Sequence, residues 1–222
     1  LQSGQLRKSD LTDFLEEVGE GSNMIIKNLN RAAELVQSFK KVAVDQNVDE
    51  VQHINLYEYL EKVLNSLIPE LKKNQIRYTI IGPRDIELDT YPSAISQTII
   101  NLVMNAIVHA FAEREKRILT IEINPPEAGL VRVRFIDNGK GMPPEVQQKI
   151  FDPFFTTNRG KGGSGLGMHI TYNLMTQKIG GRIAVESELG KGTTFLLEFP
   201  VQAPALRAAV QPEGEAGETD EP

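Results

Sequence analysis

The sequence predicts an α/β fold in which a layer of helices covers one face of a mixed sheet, with a long bundle helix in front of it. Three observations lead there. Six β-branched or aromatic runs are interleaved with apolar helical stretches, but without the regular strand-helix-strand alternation of a doubly wound fold. Ahead of them an apolar three-four spacing runs for more than four heptads, the seam of a coiled coil or helical bundle. The 222 residues, 40% hydrophobic and 24% charged, suffice for one catalytic-sized domain and an appendage.

The seam is Leu11, Leu15, Val18, Ser22, Ile25, Leu29, Ala32, Val36, Phe39 and Ala43. Ser9 and Asp10 offer an N-cap, and Asp13 and Glu16 suit the positive end of the helix dipole. Gly19 and Gly21 each weaken the helix by about 1 kcal/mol relative to Ala, so a kink near Ser22 is compatible with the pattern. Residues 1–46 are therefore assigned to a bundle helix and 47–53 to a linker. Helical periodicity returns through Leu56, Leu60, Val63, Leu67 and Leu71. Strands follow at IRYTIIG and IELDT, then the long apolar helix SAISQTIINLVMNAIVHAF, then the paired strands RILTIEI and GLVRVRFIDNG. A glycine-rich stretch, NRGKGGSGLGMHI, runs into a helix that Gly180 can cap. The strands GRIAVES and GTTFLLEFP close the domain, assigned to residues 54–201. Residues 202–222 hold Pro, Gly, Ala and Glu with little that could repay ordering, and are expected to be a disordered acidic tail.

Composition removes several chemistries. Cys is absent, which excludes disulfide frameworks, thiolate nucleophiles and Cys-ligated zinc. The formal charge is −6, but five acids (Glu213, Glu215, Glu218, Asp220, Glu221) and one base (Arg207) lie in the tail, leaving the body at −2. No basic stripe supports nucleic-acid binding. No run approaches the roughly 18 apolar residues of a membrane span, and the start lacks a secretory apolar core, so a soluble, cytoplasmic chain is expected.

Three local patterns carry chemistry. Asn101, Asn105 and His109 form a polar stripe at i, i+4 and i+8 on an apolar helix, where amides are costly unless paired. They serve either a neighbouring loop or a ligand. Asp137-Asn138-Gly139-Lys140-Gly141 follows a strand directly. It is either an ordinary tight turn or an Asp fixed to accept from an exocyclic amine, with glycines admitting a flat ring. Gly160, Gly162, Gly163, Gly165 and Gly167 precede a helix, either as a surface linker or as backbone N–H groups that cradle phosphate. The strings of a P-loop and of a dinucleotide fold are both missing.

Taken in order, these segments resemble the ATP-binding fold shared by sensor histidine kinases, DNA gyrase B, MutL and heat-shock chaperone ATPases. NLVMNAIVHA is similar to the N box, DNGKGM to the first glycine box, IFDPFFTTN to the F box, GGSGLGMHI to the second glycine box, and GKGTTFLLEFP to the terminal glycine-threonine strand. The resemblance implies a two-layer α/β sandwich of the Bergerat type over residues 54–200, binding ATP and Mg²⁺ between the N-box helix and a lid. By motif it implies that Asn105 ligates Mg²⁺, that Asn101 supports the phosphate side, and that both are catalytic. It implies that Asp137 holds the adenine amine, with Gly139, Gly141 and Met142 around the ring and Thr193 beside it. Gly163, Gly165, Leu166 and Gly167 would close on the triphosphate, with Phe151, Phe154 and Phe155 anchoring a lid over Thr156–Gly165 that orders on nucleotide.

Gyrase-like members carry a general-base Glu where this chain has Asn101, and an amide cannot take a proton from water at neutral pH. With the F box, this implies a protein histidine kinase rather than a water-directed ATPase. AAELVQSFKKVAVDQ is similar to the end of a second dimerisation helix. Two departures qualify the match. The family's Lys or Arg three residues after the metal Asn is Val108 here, with His109, Arg159 or Lys161 as substitutes, which leaves a degenerate nucleotide-binding module as the alternative. None of His53, His109 and His169 has the setting of a phosphoacceptor, so the acceptor helix is expected to lie outside this chain, a fragment of a longer sensor kinase. The implied partners are that histidine-bearing helix, a second copy of the chain in a homodimer, and a response regulator receiver domain.

Overall fold

The computed structural model describes residues 11, 13–22, 24–26, 50–111, 114–157 and 164–204. Where described, residues 11–26 are helical, and the seam residues Leu11, Leu15, Val18 and Ile25 are 46–61% exposed. Residues 1–10, 12, 23 and 27–46 of the expected bundle helix lie outside the described residues.

The sheet has the order β2-β4-β5-β7-β6, built from β2 (Ile76–Ile81), β4 (Arg117–Glu127), β5 (Leu130–Asp137), β6 (Arg182–Glu188) and β7 (Gly192–Pro200). β2 runs parallel to β4 and every other pair is antiparallel, so the sheet is mixed. Alternation along β5 decides which face is covered. Val131, Val133 and Phe135 are buried, and Arg132 and Arg134 point to the other side. On that open face Arg132 and Arg182 both pair with Glu198 at 2.6 and 2.8 Å, and Arg134 pairs with Glu122 at 2.6 Å.

Helices cover the inner face. α1 (Leu56–Ser66) is capped by the Asn55 side chain, which accepts from the Glu58 N–H at 3.0 Å. Pro69 falls in the first turn of α2 (Ile68–Lys73), separating it from α1 at Leu67. α3 (Pro92–Asn105) buries Ile95, Ile99, Leu102 and Val103 and continues as a π-helical turn, Ala106–Ala110. α4 is one short turn, Pro144–Gln147. α5 (Gly167–Asn173) also widens into a π turn, Leu174–Lys178, and Gly180 terminates it at φ +75°. Truncating a fully buried leucine such as Leu102 would cost about 2–5 kcal/mol.

Two boundaries differ from the sequence reading. Gln52 and His53, expected in the linker, belong to β1 (Gln52–Asn55), which pairs antiparallel with β3 (Glu87–Thr90) in a separate two-stranded sheet. IELDT is thus a strand, but not of the main sheet. At the other end, residues 202–204 are tied down rather than part of a free tail. Ala203 N–H donates to Asp89 O at 2.7 Å, and the Tyr91 hydroxyl donates to Pro204 O at 2.9 Å. Residues 205–222 lie outside the described residues.

Candidate nucleotide site

The alternation that sends Val131, Val133 and Phe135 inward sends Asp137 inward as well. The strand therefore delivers a carboxylate, only 4% exposed, to the end of the helical layer, where α3 and its π turn lie across it. Between them opens a cleft of about 460 Å³. Its walls include Asn101, Asn105 and His109 from α3 and the π turn, Asp137, Gly141 and Met142 from β5 and the loop after it, Gly165 before α5 and Gly167 at its start, and Thr193 from β7.

Asp137 is held from two sides. Gly139 N–H donates to Oδ1 at 2.8 Å, and Thr193 stands opposite as the cross-strand partner on β7. Burial pushes the carboxyl above its ordinary value, and hydrogen bonding from Gly139 and Thr193 opposes the rise. The loop that follows is pinned by Asn138, whose side chain accepts from Ile118 N–H at 2.8 Å and donates to Lys116 O at 2.9 Å. Lys140 N–H donates to Ala110 O at 2.8 Å, tying the loop to the π turn. Gly139 does not line the cleft. A Cβ there would stand 2.4 Å from that of Ala110 and 2.7 Å from Asp137 Oδ1, so close packing rather than ring access requires the glycine.

Asn101 and Asn105 divide their roles. Asn101 Nδ2 donates to Gly167 O and Thr171 Oγ1, both at 3.0 Å, and its Oδ1 accepts from Gln97 at 2.8 Å. Its amide clamps α5 onto α3. Asn105 has no hydrogen-bond partner among the described residues and faces the cleft. Its carboxamide oxygen is a hard donor of the kind Mg²⁺ accepts. The described residues hold no group of three or more His, Asp or Glu that could bind a metal. The donor set thus suits an ion that takes most of its ligands from phosphate oxygens and water.

His109 lies at 3.4 Å from Thr157 Oγ1, and burial, then the Lys140 charge, pulls its pKa below the ordinary value. That shift favours the neutral imidazole. Val108 also lines the cleft, 49% exposed. Leu166 does not line it. Buried at 6%, it stands just before α5, where Ile170 N–H donates to its carbonyl at 2.8 Å. Arg159, Lys161 and Gly163 lie outside the described residues. Of the F-box phenylalanines, Phe155 lines the cleft, Phe151 packs on Tyr172 with centroids 5.7 Å apart, and Phe154 is 46% exposed at φ +64°. Gly165 lies so close under Phe154 that a Cβ would fall 2.5 Å from its carbonyl carbon.

Lining residues that the sequence reading did not assign include Lys140, Met104, Val146, Ile150, Ser164 and Met168. The Lys140 position inside DNGKGM was the available signal for the first. Met104 lies in NLVMNAIVHA, Ile150 opens IFDPFFTTN, and Ser164 and Met168 lie in GGSGLGMHI, so of these six Val146 alone comes from outside the motifs.

A buried carboxylate at a strand end and a free amide on one cleft, bordered by Gly165 and Gly167, fit a nucleotide-binding domain. The chain belongs to the histidine kinase-, DNA gyrase B- and HSP90-like ATPase family, matched over residues 90–203. It is 32% identical over 156 residues to the sensor histidine kinase ZraS of Salmonella typhimurium, a match covering 69% of this chain and 32% of ZraS. The solved catalytic domain of histidine kinase ThkA is 32% identical, with 69% of this chain and 97% of that one covered at a TM-score of 0.59. ThkA in complex with the response regulator TrrA is 28% identical, with 78% and 48% covered at 0.61. The chain thus spans about a third of the length of ZraS.

Proposed function

We propose that this chain is the ATP-binding catalytic domain of a two-component sensor histidine kinase, transferring the γ-phosphate of ATP to a histidine on a dimerisation helix. The observation that carries the reading is the placement of Asp137 and Asn105 on one cleft, a buried acceptor for the adenine amine and an unpartnered amide oxygen for the metal. Mg²⁺, when bound, supplies positive charge across the phosphate oxygens. Asn105 orients it, and Asn101 fixes α5 so that Gly165 and Gly167 border the phosphates. His109 and Met142 contact the nucleoside. Arg159, Lys161 and Gly163 are assigned to the phosphates by motif alone. The amide at Asn101 supports transfer to protein over transfer to water, because no carboxylate stands there to deprotonate an attacking water. The ThkA complex supports a response regulator as the next acceptor, and the exposed apolar seam of residues 11–26 supports pairing of two copies.

Calorimetry with ATP, with and without Mg²⁺, tests the reading. The wild type should bind more tightly with Mg²⁺, and Asn105→Ala should lose that gain while still binding ADP. Equal affinity with Mg²⁺ and with EDTA in the wild type would overturn the assignment of Asn105.

A further inference from the structure

The cleft wall is poor in positive charge. Of the described residues that line it, Lys140 is the one lysine or arginine, set against one acid, Asp137. His109, the other base on the wall, is shifted toward its neutral form. Lys140 forms no ion pair among the described residues. The neighbouring charges are already engaged. Glu188 pairs with Lys191 at 2.7 Å, and Arg114, which does not line the cleft, donates to Gly139 O at 3.0 Å and to Gly190 O.

The backbone of Lys140 is anchored on both sides. Its N–H donates to Ala110 O on the π turn, and its carbonyl accepts from Gly190 N–H in the turn between β6 and β7, both at 2.8 Å. The side chain itself is exposed at the cleft wall. Ala110 lies one π turn beyond Asn105, no more than about 7.5 Å along a helix axis, an interval that a lysine side chain can span. The Lys140 charge is felt at His109, which stands on that same turn.

Resting on the nucleotide reading above, we propose that Lys140 is a phosphate-binding residue, its ammonium pairing with the α- and β-phosphates of a nucleotide whose base is held at Asp137. A diphosphate or triphosphate brings several negative charges beside a carboxylate of the same sign, and a lysine acts on phosphate as a compact point charge. Asp137 and Lys140 lie on one short loop, so the segment DNGKG carries a contact for the base and a contact for the phosphates together. The anchoring bonds at Ala110 and Gly190 fix where the lysine starts, which lowers the cost of ordering it on the ligand.

Calorimetry on the full chain compares ADP with adenosine in EDTA, which removes any metal that Asn105 would hold. Lys140→Met should weaken ADP binding by about three- to tenfold at low ionic strength, between the values of an exposed ion pair and a buried charged hydrogen bond, and adenosine binding by less than about twofold. The loss should shrink as added salt screens an exposed charge. Lys140→Arg should keep ADP binding near wild type, and Lys140→Glu should lose more than K140M. The bonds to Ala110 and Gly190 come from the backbone, so each variant retains them; if K140M does not fold, K140Q takes its place. An equal loss for ADP and adenosine, no loss for either, or a loss that salt leaves unchanged overturns the inference. A wild type that binds neither ADP nor adenosine sinks the nucleotide reading, and the role of Lys140 with it.

Discussion

Replacing Asp137 by Asn changes one atom and no volume, so it separates binding from folding. The carboxylate is 4% exposed and holds a 2.8 Å bond from Gly139 N–H. In the variant the amide oxygen can keep that bond, which leaves an NH₂ group facing the adenine amine, a donor against a donor. The loss of a hydrogen bond to a charged acceptor is about 1.5–3 kcal/mol, or about 10- to 150-fold in affinity for ADP. Folding should respond in the opposite sense. Burial raises the folded-state pKa of Asp137 above its ordinary 3.8. Its contribution to stability is therefore complete below that value and lost as pH rises through the folded-state value. D137N is free of that loss, so its melting temperature relative to wild type should climb as pH rises from 4 to 7. Calorimetric titration with ADP and thermal melts across that range measure both. Affinity within twofold of wild type would refute the assignment of Asp137, and a melting difference independent of pH would refute the buried-acid account.

The remaining predictions use the same materials. Thr98 hides its hydroxyl in the helical layer without a partner among the described residues, so Thr98→Val should raise stability by about 1 kcal/mol in urea unfolding; a lower midpoint would contradict it. Asn101→Ala removes two hydrogen bonds between α3 and α5 and one within α3 and should destabilise by about 1–3 kcal/mol, with the loss visible as faster hydrogen exchange in α5. Val108→Lys adds a cation to the cleft wall and should strengthen ATP binding severalfold at low salt, with the gain fading at high salt. Glu198 is held below its ordinary 4.5 by Arg132 and then Arg182. Its stabilisation is present above that value and lost as pH falls through the folded-state value, so Glu198→Gln should melt below wild type at pH 7 and converge with it in acid.

Much of the site was legible because its signals are local. The alternation in VRVRFID fixes which way Asp137 points, and the i, i+4 spacing of Asn101 and Asn105 puts both on one helix face. What the sequence hid depends on contacts between distant segments. β1 is four residues, QHIN, with no apolar alternation, and only its pairing with β3 makes it a strand. The two asparagines look equivalent in sequence, yet one reaches Gly167 and Thr171 and is consumed there, while the other stays free for a ligand. Ser187 and Gln147 carry no motif, yet they pin the loop after β5, where Met142 N–H donates to Ser187 Oγ at 2.8 Å and Gln147 Nε2 donates to Met142 O at 2.9 Å. Gly139 was expected to admit a ring, and the neighbouring Ala110 is what demands it.

The most direct test of the kinase reading is the destination of the phosphate. With γ-labelled ATP and Mg²⁺, the chain should transfer label to a separately supplied dimerisation hairpin bearing an acceptor histidine, giving an acid-labile, base-stable product that Asn105→Ala abolishes. Label released only as inorganic phosphate, at the same rate with and without the hairpin, would contradict the account.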